Sequence, residues 1–167
     1  MDATDVVELY NAFNRSGVTV WIDGGWAVDA VVGRETRPHQ DLDIAVEAKH
    51  AAMLKRCLEQ HGYVGVNREV SSKWNFVFAD AECRSVDVHV VVLHKRDGVH
   101  GSSLDGIAYP AGSLTGEGKI AGTTVRCVKA EFLLQFKTAY PPRDVDRQDV
   151  ATLSAWLGCS VPESYRP

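Results

Sequence analysis

Asp41 and Asp43 stand one residue apart at the head of the run DLDIAV, residues 41–46. Side chains alternate along a strand, so Asp41, Asp43 and Ala45 share one face while Leu42, Ile44 and Val46 share the other. Aspartate is depleted in strands, and two on one face repel unless a cation or a proton lies between them. A hard divalent ion, Mg2+ or Mn2+, suits a site built of carboxylates. A third carboxylate, Asp87, sits inside the valine-rich run SVDVHVVVL, residues 85–93, where it shares a face with His89 and Val91. Burying it unpaired is costly, and a metal shared with Asp41 and Asp43 removes that cost. The competing reading is a solvated aspartate strand with no chemistry.

Several elements must position these residues. A β-branched and aromatic run over residues 18–23 predicts a strand buried on both faces, ended by Gly24 and Gly25. A short helix is expected over 26–32, stopped by Gly33. Glycines at a strand-to-helix turn let the backbone approach a ligand and aim helix N–H groups at it, which suits phosphate; tight geometry alone explains them equally well. The connector 34–40 carries Arg34, Arg37 and His39. Beside a metal-nucleotide site such bases hold a triphosphate. Otherwise they are a solvated loop.

The remaining periodicities predict a packing helix over 5–15 with Val6, Leu9, Tyr10 and Phe13 inward. A second helix is expected over 48–61, with Leu54, Cys57, Leu58 and His61 on one stripe; His61 reads as a helix-end residue. Residues 63–70 and 73–79 read as the arms of a hairpin, 94–105 as a loop or lid, and 107–109 and 119–128 as short strands. A helix over 130–140 carries Phe132, Leu133, Phe136 and Tyr140 and stops at Pro141-Pro142. The last, over 145–157, buries Val150, Leu153 and Leu157.

Composition sets the outer bounds. The 167 residues, 45% hydrophobic and 24% charged, suffice for one domain with its own core. No apolar stretch approaches the roughly 20 residues that span a bilayer, and the first residues lack a basic, apolar signal, so a cytoplasmic protein without a membrane partner is expected. Cys57, Cys83, Cys127 and Cys159 form no C-x-x-C pair, which points to reduced, mostly buried thiols. A formal charge of −4 disfavours nucleic acid as a partner.

A glycine pair, a spacer of about a dozen residues, D-h-D and a later lone aspartate on a strand together form a pattern. With Gly24-Gly25, Asp41-Leu42-Asp43 and Asp87, the chain resembles nucleotidyltransferases of the DNA polymerase β type. The string WIDGGWAVDAVVGRETRPHQDLDI is similar in particular to small lincosamide nucleotidyltransferases and, less closely, to aminoglycoside ones. The resemblance is specific over about residues 18–46, is supported at 85–93 and extends faintly to the tail.

The resemblance implies an α+β fold: a mixed, twisted sheet with flanking helices and a C-terminal helix pair. Residues 1–128 would be the catalytic core and 129–167 a helical segment packed on it, one domain overall. The implied reaction moves AMP from ATP to a hydroxyl of a small antibiotic and releases pyrophosphate. Asp41, Asp43 and Asp87 would hold Mg2+ or Mn2+, and Asp87 would also accept the hydroxyl proton. Gly24, Gly25, Arg37, His39 and Lys137 would hold the nucleotide, and His89 would border the acceptor. Aminoglycosides are polycations that require extra carboxylates, so a histidine there favours a lincosamide. The alternatives are an aminoglycoside acceptor, a toxin-like transferase acting on RNA or protein, and a non-catalytic partner module of the same fold. A homodimer is allowed.

Overall fold

The computed structural model describes residues 1–68, 71–94, 98–100 and 109–166. Asp2 caps helix α1 (Ala3–Arg15) through a reciprocal box with Asp5, and Val6, Leu9, Tyr10 and Phe13 enter the core as their spacing demands. Strand β1 (Val20–Ile22) is shorter than the apolar run that predicts it, because Asp23 already serves as the N-cap of the next helix. That helix, α2 (Gly24–Val32), therefore begins two residues earlier than expected and takes the glycine pair into its first turn. It ends at Gly33, which has φ 76°, the left-handed cap a glycine accepts without strain.

After the connector come β2 (Asp41–Glu47), a single 3-10 turn at Ala48–His50, and α3 (Ala51–Gln60), so the one helix expected over 48–61 is divided. Leu54, Cys57 and Leu58 are buried, while exposed His61 ends the helix with its ring on the Cys57 carbonyl, 2.7 Å away. The expected hairpin is present as β3 (Val64–Val66) and β4 (Asn75–Ala79); Glu69 and Val70 lie outside the described residues. Strand β5 (Ser85–His94) is the longest.

Part of the expected loop or lid is strand: β6 (Gly98–His100) folds back on β5, pairing Val92 with His100. Residues 95–97 and 101–108, which include most of that loop and the predicted strand at Ile107, lie outside the described residues. Tyr109 belongs to no strand. The strand expected over 119–128 is a hairpin, β7 (Gly116–Ile120) and β8 (Thr123–Cys127). Its two-residue turn, Ala121 and Gly122, has φ of 45° and 78°, the positive pair whose twist matches the flanking strands. Helix α4 (Ala130–Lys137) stops before Tyr140, and α5 (Asp144–Leu157) buries Val150 and Leu153, with Leu157 half-buried.

The strands run β3-β4-β5-β2-β1-β8-β7, with β6 added on β5; β2–β5 and β1–β8 are parallel and the other pairs antiparallel. This mixed sheet with flanking helices is the α+β architecture anticipated above. At its centre Leu42, Ile44, Val46, Val86, Val88 and Val90 are buried, so the interior face of β2 and β5 is wholly apolar and the carboxylates are left on the other. Helix α2 lies on β2, β7 and β8 and touches α4 and α5, whereas α1 packs on α3, β1 and β7. Cys57 and Cys127 are buried and Cys83 and Cys159 exposed, so half of the thiols depart from the expected burial. Among the described residues no helix is long and apolar enough to cross a membrane.

Helix α2 approaches β7 over Gly118, where an added Cβ would lie 2.3 Å from the Ala30 carbonyl oxygen. Backbone cannot yield as a flexible side chain does. Gly118→Ala is expected to lower the unfolding free energy in urea by about 1–3 kcal/mol, the usual penalty of overpacking. An unchanged midpoint would mean that α2 does not press on β7 at this distance.

Candidate active site

Three sequence-predicted carboxylates are brought together by strand register. In the parallel β2–β5 ladder Asp43 stands opposite Asp87, Asp41 opposite Ser85 and Ala45 opposite His89. Asp41, Asp43, Asp87 and His89 thus share one face. Burial pushes the Asp43 carboxyl up to about 8, and the charges of Asp41, Asp23 and Asp87 push the same way, against a smaller pull from Lys137. Burial likewise raises Asp87, partly offset by His89 and Arg68. Asp87 Oδ1 is buried and has no hydrogen-bond partner among the described residues.

This donor set fits a hard divalent cation. Oxygen ligands crowd one spot, two of them resist ionising without compensation, and one is left without a partner. No three His, Cys, Asp or Glu side chains among the described residues close into a ready cage. Small divalent ions of the Mg2+ class are commonly held by one or two carboxylates together with substrate phosphates, so an open arrangement is consistent with that use.

Gly24 is placed where only a glycine fits. Its φ is +59°, and a Cβ there would lie 1.9 Å from Asp43 Oδ2. The start of α2 thus rests directly on the carboxylate. Asp23, which the sequence reading missed, is a fourth acid at this corner: its Oδ1 accepts from the Gly24 N–H at 2.8 Å and its Oδ2 from the Tyr109 hydroxyl at 2.5 Å. The Gly24 amide is consequently committed to its own cap. Tyr109, almost fully buried edge-on against Phe136, has its phenol held well above its ordinary range by burial and by Asp23. An aspartate immediately before a helix-opening glycine pair was an N-cap signal available in the sequence; nothing in the sequence announced Tyr109.

Arg37 and His39 do reach the same turn, but both are engaged. A Cβ on Gly25 would lie 2.5 Å from Arg37 Nη2 and 2.5 Å from His39 Nδ1. His39 is buried, stacks at 4.5 Å on Trp26 and has Nε2 at 2.6 Å from Asp29 Oδ2. Asp29 also takes the Thr36 hydroxyl and N–H, pinning the connector to α2. Arg37 makes a bidentate pair with buried Asp149, both contacts 2.8 Å, and Lys137 Nζ meets the same carboxylate at 2.7 Å. Beyond it Arg143 and Tyr140 bind Asp146. The clue to these hidden acids was their spacing: Asp146, Asp149, Val150 and Leu153 fall at i, i+3, i+4 and i+7, so acids lie on the apolar stripe of α5.

A cavity of about 640 Å³ opens above the carboxylates. Asp23, Gly24, Asp43 and His89 form one end; Phe136, Lys137, Tyr140 and Arg143 line the side toward α4 and α5. It joins acids, a polar histidine, cations and apolar rings, as a site for a charged nucleotide beside a second molecule requires.

Known proteins resemble this chain in sequence and in fold. A profile of the aminoglycoside-2''-adenylyltransferase family matches residues 5–153. A lincosamide resistance protein of Staphylococcus haemolyticus is 25% identical over 151 residues, which cover 88% of this chain and 91% of that protein. A 2''-aminoglycoside nucleotidyltransferase of Escherichia coli is 35% identical over a shorter stretch of 65 residues, 37% of either chain. The crystal structure of the lincosamide antibiotic adenylyltransferase LnuA, lincomycin-bound, superposes with a TM-score of 0.79 at 25% identity, covering 91% of this chain and 96% of its own.

Burial pushes the Asp149 carboxyl up, but hydrogen bonds from Arg37 and Lys137 and their charges outweigh it and hold the group below its ordinary value. A carboxylate so depressed stabilises the fold above its unfolded pKa of about 3.9, and that contribution is lost as pH falls through the folded value. Asp149→Asn, which strands two cations, is expected to cost about 3 kcal/mol at pH 7. Denaturation at pH 7 and near pH 3 checks the sign: the gap between variant and parent should narrow in acid. A gap independent of pH would rule the charge pairing out as its cause.

Proposed function

Because this chain belongs to the aminoglycoside-2''-adenylyltransferase family and is a nucleotidyltransferase of the antibiotic-modifying kind, we propose that it transfers AMP from ATP to a hydroxyl of a lincosamide, releasing pyrophosphate. The observation that carries this reading is the opposition of Asp43 and Asp87 in the β2–β5 ladder, with His89 on the same face and the start of α2 against it. Held by Asp41, Asp43 and Asp87, a divalent cation of the Mg2+ or Mn2+ class would neutralise triphosphate charge and make the acceptor hydroxyl more acidic.

The chain's own groups divide the remaining work. Asp87 accepts the proton of the attacking hydroxyl; a carboxyl raised by burial is a better base for that task than a free one. With Gly24 committed to Asp23, the N–H groups of Gly25 and Trp26 are the first-turn donors left to meet phosphate oxygens. Lys137, buried at the cavity wall, supplies positive charge. Arg37 and His39 act mainly by fixing the connector that leads into the strand of Asp41 and Asp43, with part of the Arg37 guanidinium still turned toward Gly25. Residues 1–128 hold the carboxylates, and 129–167 contribute the cationic and aromatic wall.

The choice of acceptor follows from charge. The acids that line the cavity are Asp23, whose oxygens are already bonded, and Asp43; its cations are Lys137 and Arg143. That lining offers a polycation little, and suits an acceptor with one sugar and an apolar part. The match along nearly the full chain to a lincosamide resistance protein supports the same choice, while the family profile and the local match to an aminoglycoside enzyme keep the second class in view.

Incubation of purified protein with ATP, Mg2+ and lincomycin should add the mass of one AMP to the drug. Modification of tobramycin with none of lincomycin would reverse the acceptor, and modification of neither would reopen RNA and protein acceptors. For the carboxylates, Asp41→Asn, Asp43→Asn and Asp87→Asn should each cut the transfer rate by orders of magnitude, because metal and proton chemistry share them. The thermal midpoint should hold or rise, since crowding of like charge is relieved. Near-normal turnover in Asp41→Asn or Asp43→Asn would sink the assignment.

A further inference from the structure

We infer that Asn75 and His89 form a subsite that binds a second hydroxyl of the acceptor, beside the one that is modified. The inference rests on the reading of Asp87 as the group that takes the acceptor's proton. Six buried side-chain polar atoms lack a hydrogen-bond partner among the described residues, and three of them, Asn75 Oδ1, Asp87 Oδ1 and His89 Nδ1, gather in one place. In the antiparallel β4–β5 ladder Asn75 lies directly opposite His89, and Asp87 is two residues before His89. All three therefore project from the same face of neighbouring strands. The other three, on Trp26, Ser113 and Ser154, belong to separate elements.

Polar atoms buried without a partner are costly, and their concentration beside a reaction centre calls for a ligand that satisfies them. Opposed residues of such a ladder keep their Cβ atoms about 4.5–5.5 Å apart, close enough to converge on one substituent of a ring. An amide oxygen only accepts; an imidazole nitrogen carrying its proton only donates. A hydroxyl does both, so a single ring hydroxyl donates to Asn75 Oδ1 and accepts from His89 Nδ1–H. An ammonium group has no lone pair for the histidine. The ligand class is accordingly a sugar ring with a free hydroxyl next to the attacking one, rather than an amino group at that position.

The geometry supports recognition by a rigid pair. The Asn75 N–H donates to Ser72 Oγ at 3.1 Å and the Asn75 carbonyl accepts from the Ser72 N–H at 2.7 Å, which fixes the start of β4. His89 borders the same cavity as Asp43 and Gly24, so the histidine side of the subsite faces the reaction centre, with Asn75 beside it in the ladder.

Steady-state kinetics with lincomycin and ATP varied in turn test this. Asn75→Ala and His89→Ala are each expected to raise KM for lincomycin tenfold or more while KM for ATP stays within twofold, and His89→Gln, which keeps a donor, should recover part of the loss. A lincomycin analogue lacking the hydroxyl adjacent to the modified one should be a poor substrate for the parent, with that handicap collapsing in Asn75→Ala. Thermal midpoints should not fall, since the substitutions delete unpartnered buried atoms. An unchanged KM for lincomycin in both alanine variants, or an equal loss toward both substrates, would overturn the subsite. Failure of the underlying reading looks different: Asp87→Asn turning over at the parental rate removes the proton acceptor and leaves the subsite judged by KM alone, whereas a parent protein that modifies no lincomycin removes both.

Discussion

Crowding of negative charge around Asp43 is the constraint on which the rest of this structure turns. A carboxyl buried beside three others at the end of a parallel strand pair is unfavourable in isolation. Its surroundings are organised to hold that arrangement in readiness. Gly24 offers no Cβ, so the first turn of α2 comes down onto the acid. Asp23 is drawn aside by two hydrogen bonds, one to its own helix and one to Tyr109. Lys137 brings the compensating charge from α4 without making a direct salt bridge to Asp43, because its ammonium is spent on Asp149. The local electrostatics are thus left unbalanced on the face that meets the cavity, and balanced behind it.

The strength of the sequence lay in period. Alternation in residues 41–46 and 85–93 put Asp41, Asp43 and Asp87 on polar faces, and the ladder that pairs Asp43 with Asp87 needs only those two alternations to agree. Helix periodicity and Gly33 likewise marked α2 to within two residues. Other features were illegible for reasons that are themselves physical. Tyr109 reaches Asp23 across 86 residues of chain, and no local pattern encodes such a contact. Arg37 and His39 were legible as bases near the site, but their pairing with Asp149 and Asp29 was not: the place of Asp149 on the apolar stripe of α5 marks it as buried without saying which base it meets. The split of the expected strand at 119–128 into a hairpin hinged on Ala121-Gly122, where alanine adopts a positive φ that its type disfavours.

The apolar half of the sheet and the polar half serve different ends. Val86, Val88 and Val90 interlock with Leu42, Ile44 and Val46, giving the central strands a register that a slip of one residue would destroy, because every carboxylate would then face the core. Precision at the reaction centre is inherited from that hydrophobic register. No feature of the site itself supplies it, since its like charges favour separation.

The bidentate tie between Arg37 and Asp149 spans 112 residues. Closing so long a loop carries an entropic penalty that is repaid only once α5 is docked, whereas the hairpins of the sheet close over short distances. Asp29 orders Thr36 and His39 from within ten residues, whereas Arg37 gains its anion from α5. Until it arrives, Arg37 has no anion to orient it and the acids of β2 lack the cations gathered around Asp149. The tie thereby couples the seating of α5 to the charge of the site, since Lys137, held by the same carboxylate, lines the cavity.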